Sequence, residues 1–181
     1  MTDPSHRYVA LLRGINVGRN KRIAMPELRA ALEAAGYGDV RTLLVSGNVV
    51  LTAETDDPRD VAAGVERVVL ERFGHDVRVV VRTAAELAAV AAACPMPGPP
   101  DGSRFMIAFL AEPVGEDLPA PPADAIGDDR WWARPGEVYV WCPAGLIDSP
   151  AMAHLERVTK GVTHTTVRNW NTVAKLAALC G

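Results

Sequence analysis

Apolar positions in the first half of the chain change between a strand-like and a helical period in a regular order. Strands are predicted where β-branched and other apolar residues cluster, at 7–12, 40–45, 49–52 and 76–81. One helix is predicted after Pro26, with apolar residues at i, i+3, i+4 and i+7, and another after Pro58, with Asp57 as its N-cap. The order βαββαβ is that of the ferredoxin-like split unit.

This topology brings two polar segments together. In a ferredoxin-like unit the first two strands run parallel, and the third lies antiparallel between them. The end of the first strand and the turn joining the second and third strands therefore lie at the same edge of the sheet. We expect the loop 13–22 and the turn Ser46-Gly47-Asn48 to be neighbours.

The second half of the chain repeats this plan. Strands are predicted at 105–110, 131–133, 138–141 and 163–167, with an acidic, proline-rich connection at 112–129 and a helix from Ser149-Pro150 to near Gly161. Helices are also predicted after Thr83, where Glu86 has capping-box spacing, and at the end of the chain. Segments 82–94 and 168–180 match in length and apolar spacing, which favours two related halves.

These elements define a fold class and a domain division. The sequence predicts an α+β protein of two ferredoxin-like (βαββαβ) halves, each followed by an extra helix. The segment 94–103 is too rich in proline and glycine for a helix or a central strand, so we predict a linker there. The predicted domains are 1–93 and 104–181.

Composition narrows the class of protein. The 181 residues carry a net charge of −3, which argues against a polyanion binder that relies on bulk positive charge. Three cysteines without CxxC spacing indicate reduced, buried thiols. The first residues do not form a charged segment followed by an apolar core, so we expect no secretory leader, and no apolar run approaches the roughly 20 residues that span a bilayer. We therefore expect a cytoplasmic protein without a membrane partner.

The loop after the first strand is the main candidate for a ligand site. It fits neither GxxxxGK[ST] nor GxGxxG, but it combines glycines that let backbone amides approach an anion with several cationic side chains. Short polar side chains from the neighbouring turn would add donors. The candidate residues are Arg13, Gly14, Asn16, Gly18, Asn20 and Lys21 from the loop, and Ser46, Gly47 and Asn48 from the turn. Glycine and asparagine also serve irregular turns, so a purely structural loop is the alternative.

A second candidate precedes the last helix and consists of Arg168, Asn169, Trp170 and Asn171. Either Asn169 or Asn171 is expected to cap that helix, with Trp170 filling the core. Alternatively, the four residues form a recognition surface, in which Trp170 stacks on a ligand and Arg168 anchors an anion.

Residues for acid-base or metal chemistry are poorly represented. The four histidines have no ligand spacing and are expected at the surface, so neither a metal nor a cofactor is predicted. Ser149 and His154 lie five positions apart at a helix start, on different faces. The acidic residues of 112–129 are expected to be solvated. The RNA-recognition signature is absent, and Val49, Val50 and Leu51 occupy the positions of its stacking aromatics, which argues against nucleic acid as a partner without excluding it.

Four motifs together carry a resemblance to a known family. They are Tyr8-Val-Ala-Leu-Leu-Arg-Gly-Ile-Asn-Val-Gly18, Met25-Pro-Glu-Leu28, Ser46-Gly-Asn-Val-Val50 and Thr166-Val-Arg-Asn-Trp-Asn-Thr172. The chain resembles the bacterial family known as domain of unknown function 1697. The resemblance implies a two-part α+β protein and directs attention to the polar positions named above, but it implies no substrate. Relatives tend to have a lysine in the segment that is Gly145 to Pro150 here, and this chain lacks it.

Three functions remain open from the sequence. The leading hypothesis is that the loop 13–22 and the turn 46–48 bind a small anionic or nucleotide-like ligand. The second hypothesis is an enzyme, a transferase or hydrolase that acts on a phosphorylated substrate in the same place. The third is a structural or protein-interaction module in which the motifs only shape turns and caps.

Overall fold

The computed structural model describes residues 6–181 and contains two compact units. One unit ends at Ala89 and takes in Leu176–Gly181, and the other is Val90–Lys175. The prediction that no leader is present concerns in part residues 1–5, which lie outside the described residues. The predicted linker at 94–103 falls within the second unit and stays a prediction.

The first half of the chain has the predicted βαββαβα order. Its elements are β1 His6–Leu12, α1 Met25–Ala34, β2 Gly38–Leu43, β3 Asn48–Ala53, α2 Pro58–Phe73, β4 Val79–Thr83 and α3 Ala84–Ala92. The strands form one antiparallel sheet in the order β2-β3-β1-β4. This order confirms the predicted parallel run of β1 and β2 with β3 between them.

Local signals explain where the helices of this half begin and end. The Asp57 carboxylate accepts a 2.8 Å hydrogen bond from the Arg59 amide, and Pro58 occupies the first turn of α2. Gly74 ends α2 in the left-handed conformation, with φ +68°. The capping box of α3 is also present, since the Thr83 amide donates to Glu86 and the Glu86 amide donates to Thr83.

One face of this sheet is covered by α1 and α2. Tyr8, Ala10 and Leu12 alternate along β1 and point into a core completed by the helices. The helical partners are Leu28 and Leu32 from α1, and Val61, Val65, Val68 and Val69 from α2. The buried helix positions follow the predicted apolar spacing, so amphipathicity set the packing face.

The second half contains a sheet of the same topology. Its elements are β5 Phe105–Leu110, β6 Arg130–Ala133, β7 Glu137–Trp141, α4 Pro150–Thr159, β8 Thr165–Asn169 and α5 Trp170–Cys180, with strand order β6-β7-β5-β8. Two short 3-10 turns, Gly115–Asp117 and Ala123–Ala125, replace a helix between β5 and β6. The prolines of this connection prevent continuous helical hydrogen bonding.

Equivalent backbone hydrogen bonds occur at the end of the corresponding interior strands, β1 and β5, in the two halves. The Leu12 amide donates to the Gly47 carbonyl at 2.8 Å, and the Leu110 amide donates to the Gly136 carbonyl at 2.9 Å. In the last strands, Arg82 lies opposite Val9 of β1, and Arg168 lies opposite Ile107 of β5. The two sheets and the five helices of residues 6–181 confirm the predicted α+β class with two ferredoxin-like halves. None of these helices has the length and apolarity needed to cross a bilayer.

Candidate functional site

The loop after β1 is a short hairpin-like excursion. The Asn16 amide donates to the Lys21 carbonyl at 3.0 Å, and the Asn20 amide donates to the Val17 carbonyl at 3.3 Å. The second bond closes a β-turn in which Gly18 has φ +60°, a conformation that glycine adopts without steric cost. Residues 17–20 therefore form a defined tip, and all four are exposed.

The Asn16 side chain fastens this loop to the turn between β2 and β3. Its Nδ2 donates to the Ile23 carbonyl at 2.9 Å and to the Val45 carbonyl at 2.8 Å, and its Oδ1 accepts from the Ile23 amide at 2.9 Å. The loop and the turn are therefore neighbours, as predicted from topology. Because both the nitrogen and the oxygen of the Asn16 amide are used internally, this side chain holds the loop and the turn together.

The turn itself lies slightly earlier than predicted, at 44–47. Asn48 is the first residue of β3 and is fully buried, so its assignment to the turn was wrong. Its Nδ2 donates to the Leu43 carbonyl at 2.8 Å and to Ser46 Oγ at 3.1 Å. The Asn48 side chain therefore binds the carbonyl of Leu43, the last residue of β2.

The cationic side chains of the loop differ in their surroundings. Arg13, Arg19 and Arg22 are exposed, whereas Lys21 is half-buried and donates its ammonium group to the Asp76 carbonyl. Within residues 6–181, no acceptor binds the backbone N–H of Val17, Gly18 or Arg19. We call this surface, made of Arg13, Arg19, Arg22 and the tip 17–20, the cationic edge.

The cationic edge is open. A Cβ placed on Gly14 or Gly18 would meet no atom within 4 Å. The two glycines thus border solvent and do not line a closed cleft. Gly47 is different, since a Cβ there would come within 2.8 Å of Leu12 Cβ.

Asn169 caps the last helix, which was the structural alternative for segment 168–171. Its Oδ1 accepts from the Thr172 amide at 3.0 Å and from Thr172 Oγ1 at 2.9 Å. Trp170 is half-buried and packs edge-on against Phe105, with ring centroids 6.3 Å apart. Asn171 is exposed.

Arg168 is half-buried beside the same helix start. Its Nη1 donates to Thr166 Oγ1 and to the Val167 carbonyl, both at 2.8 Å. Burial lowers the pKa of its guanidinium to about 10, because the charged form loses hydration. Arg82, at the equivalent position of β4, likewise donates to the carbonyl that precedes it, at 3.0 Å. Because both arginines make this contact with the preceding carbonyl, a structural role accounts for their presence at these positions.

The capping role of Asn169 gives a simple expectation. Asn169→Ala should lower the free energy of unfolding by about 1 kcal/mol, because an orphan helix amide loses its acceptor. Asn171 lies two residues later and is exposed, so Asn171→Ala should change the free energy of unfolding by less than about 0.5 kcal/mol. Urea denaturation followed by circular dichroism measures both. Equal losses in the two variants would contradict the assignment of the cap.

The second unit also contains a buried polar cluster that the sequence did not predict. Asp129 and Ser149 are both 4% exposed, and Ser149 Oγ donates to Asp129 Oδ2 at 2.6 Å. Ser149 also caps α4, since the Met152 amide donates to its Oγ at 3.1 Å. The buried Cys142 thiol donates to Ser149 Oγ at 3.3 Å, and burial raises its pKa. The expectation that Asp129 is solvated was wrong, because the start of α4 supplies donors that replace water.

His154 is buried as well, against the expectation of a surface position. Its Nε2 lies 2.7 Å from the Pro119 carbonyl, which can only accept, so Nε2 carries the proton. Its Nδ1 accepts from Arg157 at 2.6 Å, and its ring packs edge-on against Trp131. These contacts give His154 a packing role. No group of three or more His, Cys, Asp and Glu side chains in residues 6–181 is arranged to hold a metal.

The fold and the site define a tandem ferredoxin-like α+β protein with a cationic edge on its first unit. The chain belongs to the family described as protein of unknown function DUF1697, whose model matches residues 5–139. A solved structure described as the conserved bacterial protein SP0830 from Streptococcus pneumoniae is 22% identical, with a TM-score of 0.75 over 98% of this chain and 99% of that one. That likeness supports the fold. A comparison with curated proteins gives no significant match.

Proposed function

We propose that the protein binds a small anionic ligand, of a phosphate-bearing or nucleotide-like kind, at the cationic edge. The observation that carries this proposal is the exposure of Arg13, Arg19 and Arg22 on one loop whose backbone is held by Asn16. Guanidinium groups match phosphate geometry and form strong, charge-assisted hydrogen bonds. A fastened loop loses little conformational entropy when it binds.

The backbone of the tip supports the same chemistry. The amides of Val17, Gly18 and Arg19 have no acceptor within residues 6–181, and the open space around Gly18 lets a ligand approach them. Successive backbone N–H groups in a turn attract anions. Asn16 and Asn48 use their side chains to fix the loop and the turn. The ligand is therefore bound by the arginines and by the backbone N–H groups.

Simple binding fits this edge better than catalysis. An enzyme that transfers or hydrolyses a phosphoryl group gains from a site that excludes water and contains fixed catalytic groups. Gly14 and Gly18 border open space, and the half-buried Lys21 is engaged by the Asp76 carbonyl. The arginines of the edge can hold a charged group, but within residues 6–181 none of them forms an ion pair with a carboxylate that could serve as an acid or base.

Arg13→Ala tests the proposal. Loss of one charge-assisted contact should weaken binding of pyrophosphate or a nucleoside triphosphate by about tenfold to a hundredfold. The ligand-dependent rise in melting temperature should then disappear at concentrations that still shift the unmodified protein. The fold should persist, because Arg13 is exposed.

Arg29→Ala is the matched control, since Arg29 is exposed on α1 and lies outside the edge. It should leave the ligand-dependent shift intact. The proposal is overturned if Arg13→Ala responds to every tested phosphate ligand as strongly as the unmodified protein. Assaying the same panel for phosphate release would reveal turnover, which the binding proposal does not expect.

A further inference from the structure

Aliphatic side chains are exposed on both turns of the first unit's edge. Val17, at the tip of the loop, is 67% exposed, and Leu44 and Val45, in the turn between β2 and β3, are 53% and 66% exposed. The Asn16 amide, which donates to the Val45 carbonyl, ties the two turns together. Exposed aliphatic groups that cluster on one surface usually mark a contact site.

Val17 lies on the same loop as the arginines of the cationic edge, and the Asn16 side chain bonds this loop to the turn that carries Leu44 and Val45. Val17 and Arg19 lie on the same four-residue tip, and Arg13 and Arg22 flank the loop. A soluble phosphate compound would neutralise the arginines but would leave the aliphatic side chains in water. The partner that satisfies both has phosphate groups next to hydrocarbon.

We infer that the anion recognised by the cationic edge is the phosphate of an anionic phospholipid, and that the protein docks on a lipid surface through these two turns. This inference rests on the proposed function and specifies its ligand. The arginines bind headgroup phosphates, while Val17, Leu44 and Val45 enter the boundary between headgroups and acyl chains. A loop pinned by side-chain hydrogen bonds can insert its tip without first becoming ordered.

The shape and composition of the edge favour lipid over nucleic acid. Single-stranded nucleic acids are bound by aromatic side chains that stack on bases, but neither 13–22 nor 44–47 contains an aromatic residue. Open space around Gly14 and Gly18 suits a deformable surface more than an enclosed small molecule. The sequence predicted no membrane partner because it contains no apolar run long enough to span a bilayer. A protein that docks on a lipid surface does not need such a run, so that reason does not argue against docking.

Binding is expected to depend on both kinds of side chain. Near an anionic surface each arginine adds about fivefold to the partition constant, an effect that falls with ionic strength. Removing two valines from the headgroup boundary should cost about tenfold. The net charge of −3 repels an anionic membrane from the protein as a whole. Vesicle binding should therefore depend on charge changes at this edge and not on charge changes elsewhere.

The test is co-sedimentation of the full chain with vesicles of phosphatidylcholine alone or of phosphatidylcholine mixed with phosphatidylglycerol. We expect binding only to the mixed vesicles. Val17→Ser combined with Val45→Ser, which leaves the charge unchanged, should weaken that binding about tenfold. Val162→Ser is the matched control, since Val162 is a 56% exposed valine in the second unit.

The outcomes separate the two proposals. If the double serine variant loses vesicle binding but still binds pyrophosphate, the lipid inference holds together with the proposed function. Equal sedimentation with both kinds of vesicle, or with neither, overturns the lipid inference while pyrophosphate binding is judged separately. Binding to a single-stranded oligonucleotide in place of vesicles also overturns it. Vesicle binding that is unchanged in Arg13→Ala and in Arg19→Ala overturns the lipid inference, because the arginines then take no part in it. The anion proposal is decided separately, by the pyrophosphate binding of Arg13→Ala.

Discussion

Replacing Asp129 with alanine should lower the free energy of unfolding by about 3 kcal/mol, because buried donors lose their acceptor. Asp129 Oδ2 accepts from Ser149 Oγ at 2.6 Å and from the Ala151 amide at 3.2 Å. Both donors belong to the start of α4, where a negative charge also interacts favourably with the helix dipole. One carboxylate thus joins the acidic connection to the helix that covers the second sheet.

Asp128→Ala is the control for this prediction, since Asp128 is the exposed neighbour in the same connection. It should change the free energy of unfolding by less than about 0.5 kcal/mol. Urea denaturation curves for both variants, fitted with a common slope, give the comparison. A loss below about 1 kcal/mol for Asp129→Ala would show that water or another acceptor replaces the carboxylate.

Gly47→Ala is expected to be similarly costly, at about 3 kcal/mol, because backbone strain and overpacking add together. Gly47 has φ +83°, which disfavours any residue with a Cβ. The added Cβ would lie 2.8 Å from Leu12 Cβ and 2.9 Å from Ile15 Cδ1. Relief of these contacts requires movement of the turn or of the loop, so ligand binding at the cationic edge should weaken too.

Gly74→Ala separates strain from overpacking. Gly74 has φ +68° at the end of α2, but a Cβ there would meet nothing within 4 Å. Its replacement should cost only the left-handed backbone conformation, about 1 kcal/mol. If thermal denaturation gives the same loss for both glycines, the close approach of Gly47 to β1 has no energetic consequence, and the prediction fails.

The elements of the fold could be predicted because their signals are local. Asp57 and Pro58, the Thr83 and Glu86 pair, and Ser149 mark helix starts within a few residues of the bonds they form. The hairpin signal at Gly47 was placed correctly, but its extent was not. Leu44 adopts φ +59°, which apolar residues rarely do, so the turn begins before the glycine that identifies it.

The residues of the candidate site were predicted with less detail. Topology alone indicated that the loop 13–22 meets the turn after β2, and Asn16 makes that contact. Whether an asparagine faces a ligand or a backbone carbonyl depends on atoms about thirty positions away, which no local pattern reports. The exposed aliphatic residues were missed for the same reason, since Val45 reads as part of a buried strand.

The sequence by itself determined the strands and helices, their order in two related halves, the caps and the meeting of one loop with one turn. These follow from periodicity, capping chemistry and chain topology, which act over short stretches or through connectivity. Only the tertiary structure decided that Asn16 and Asn48 are used internally, that Asp129 and His154 are buried, and that Val17 and Val45 are exposed. Burial and hydrogen-bond partners are set by elements far apart in the chain, so they exist only once those elements have packed.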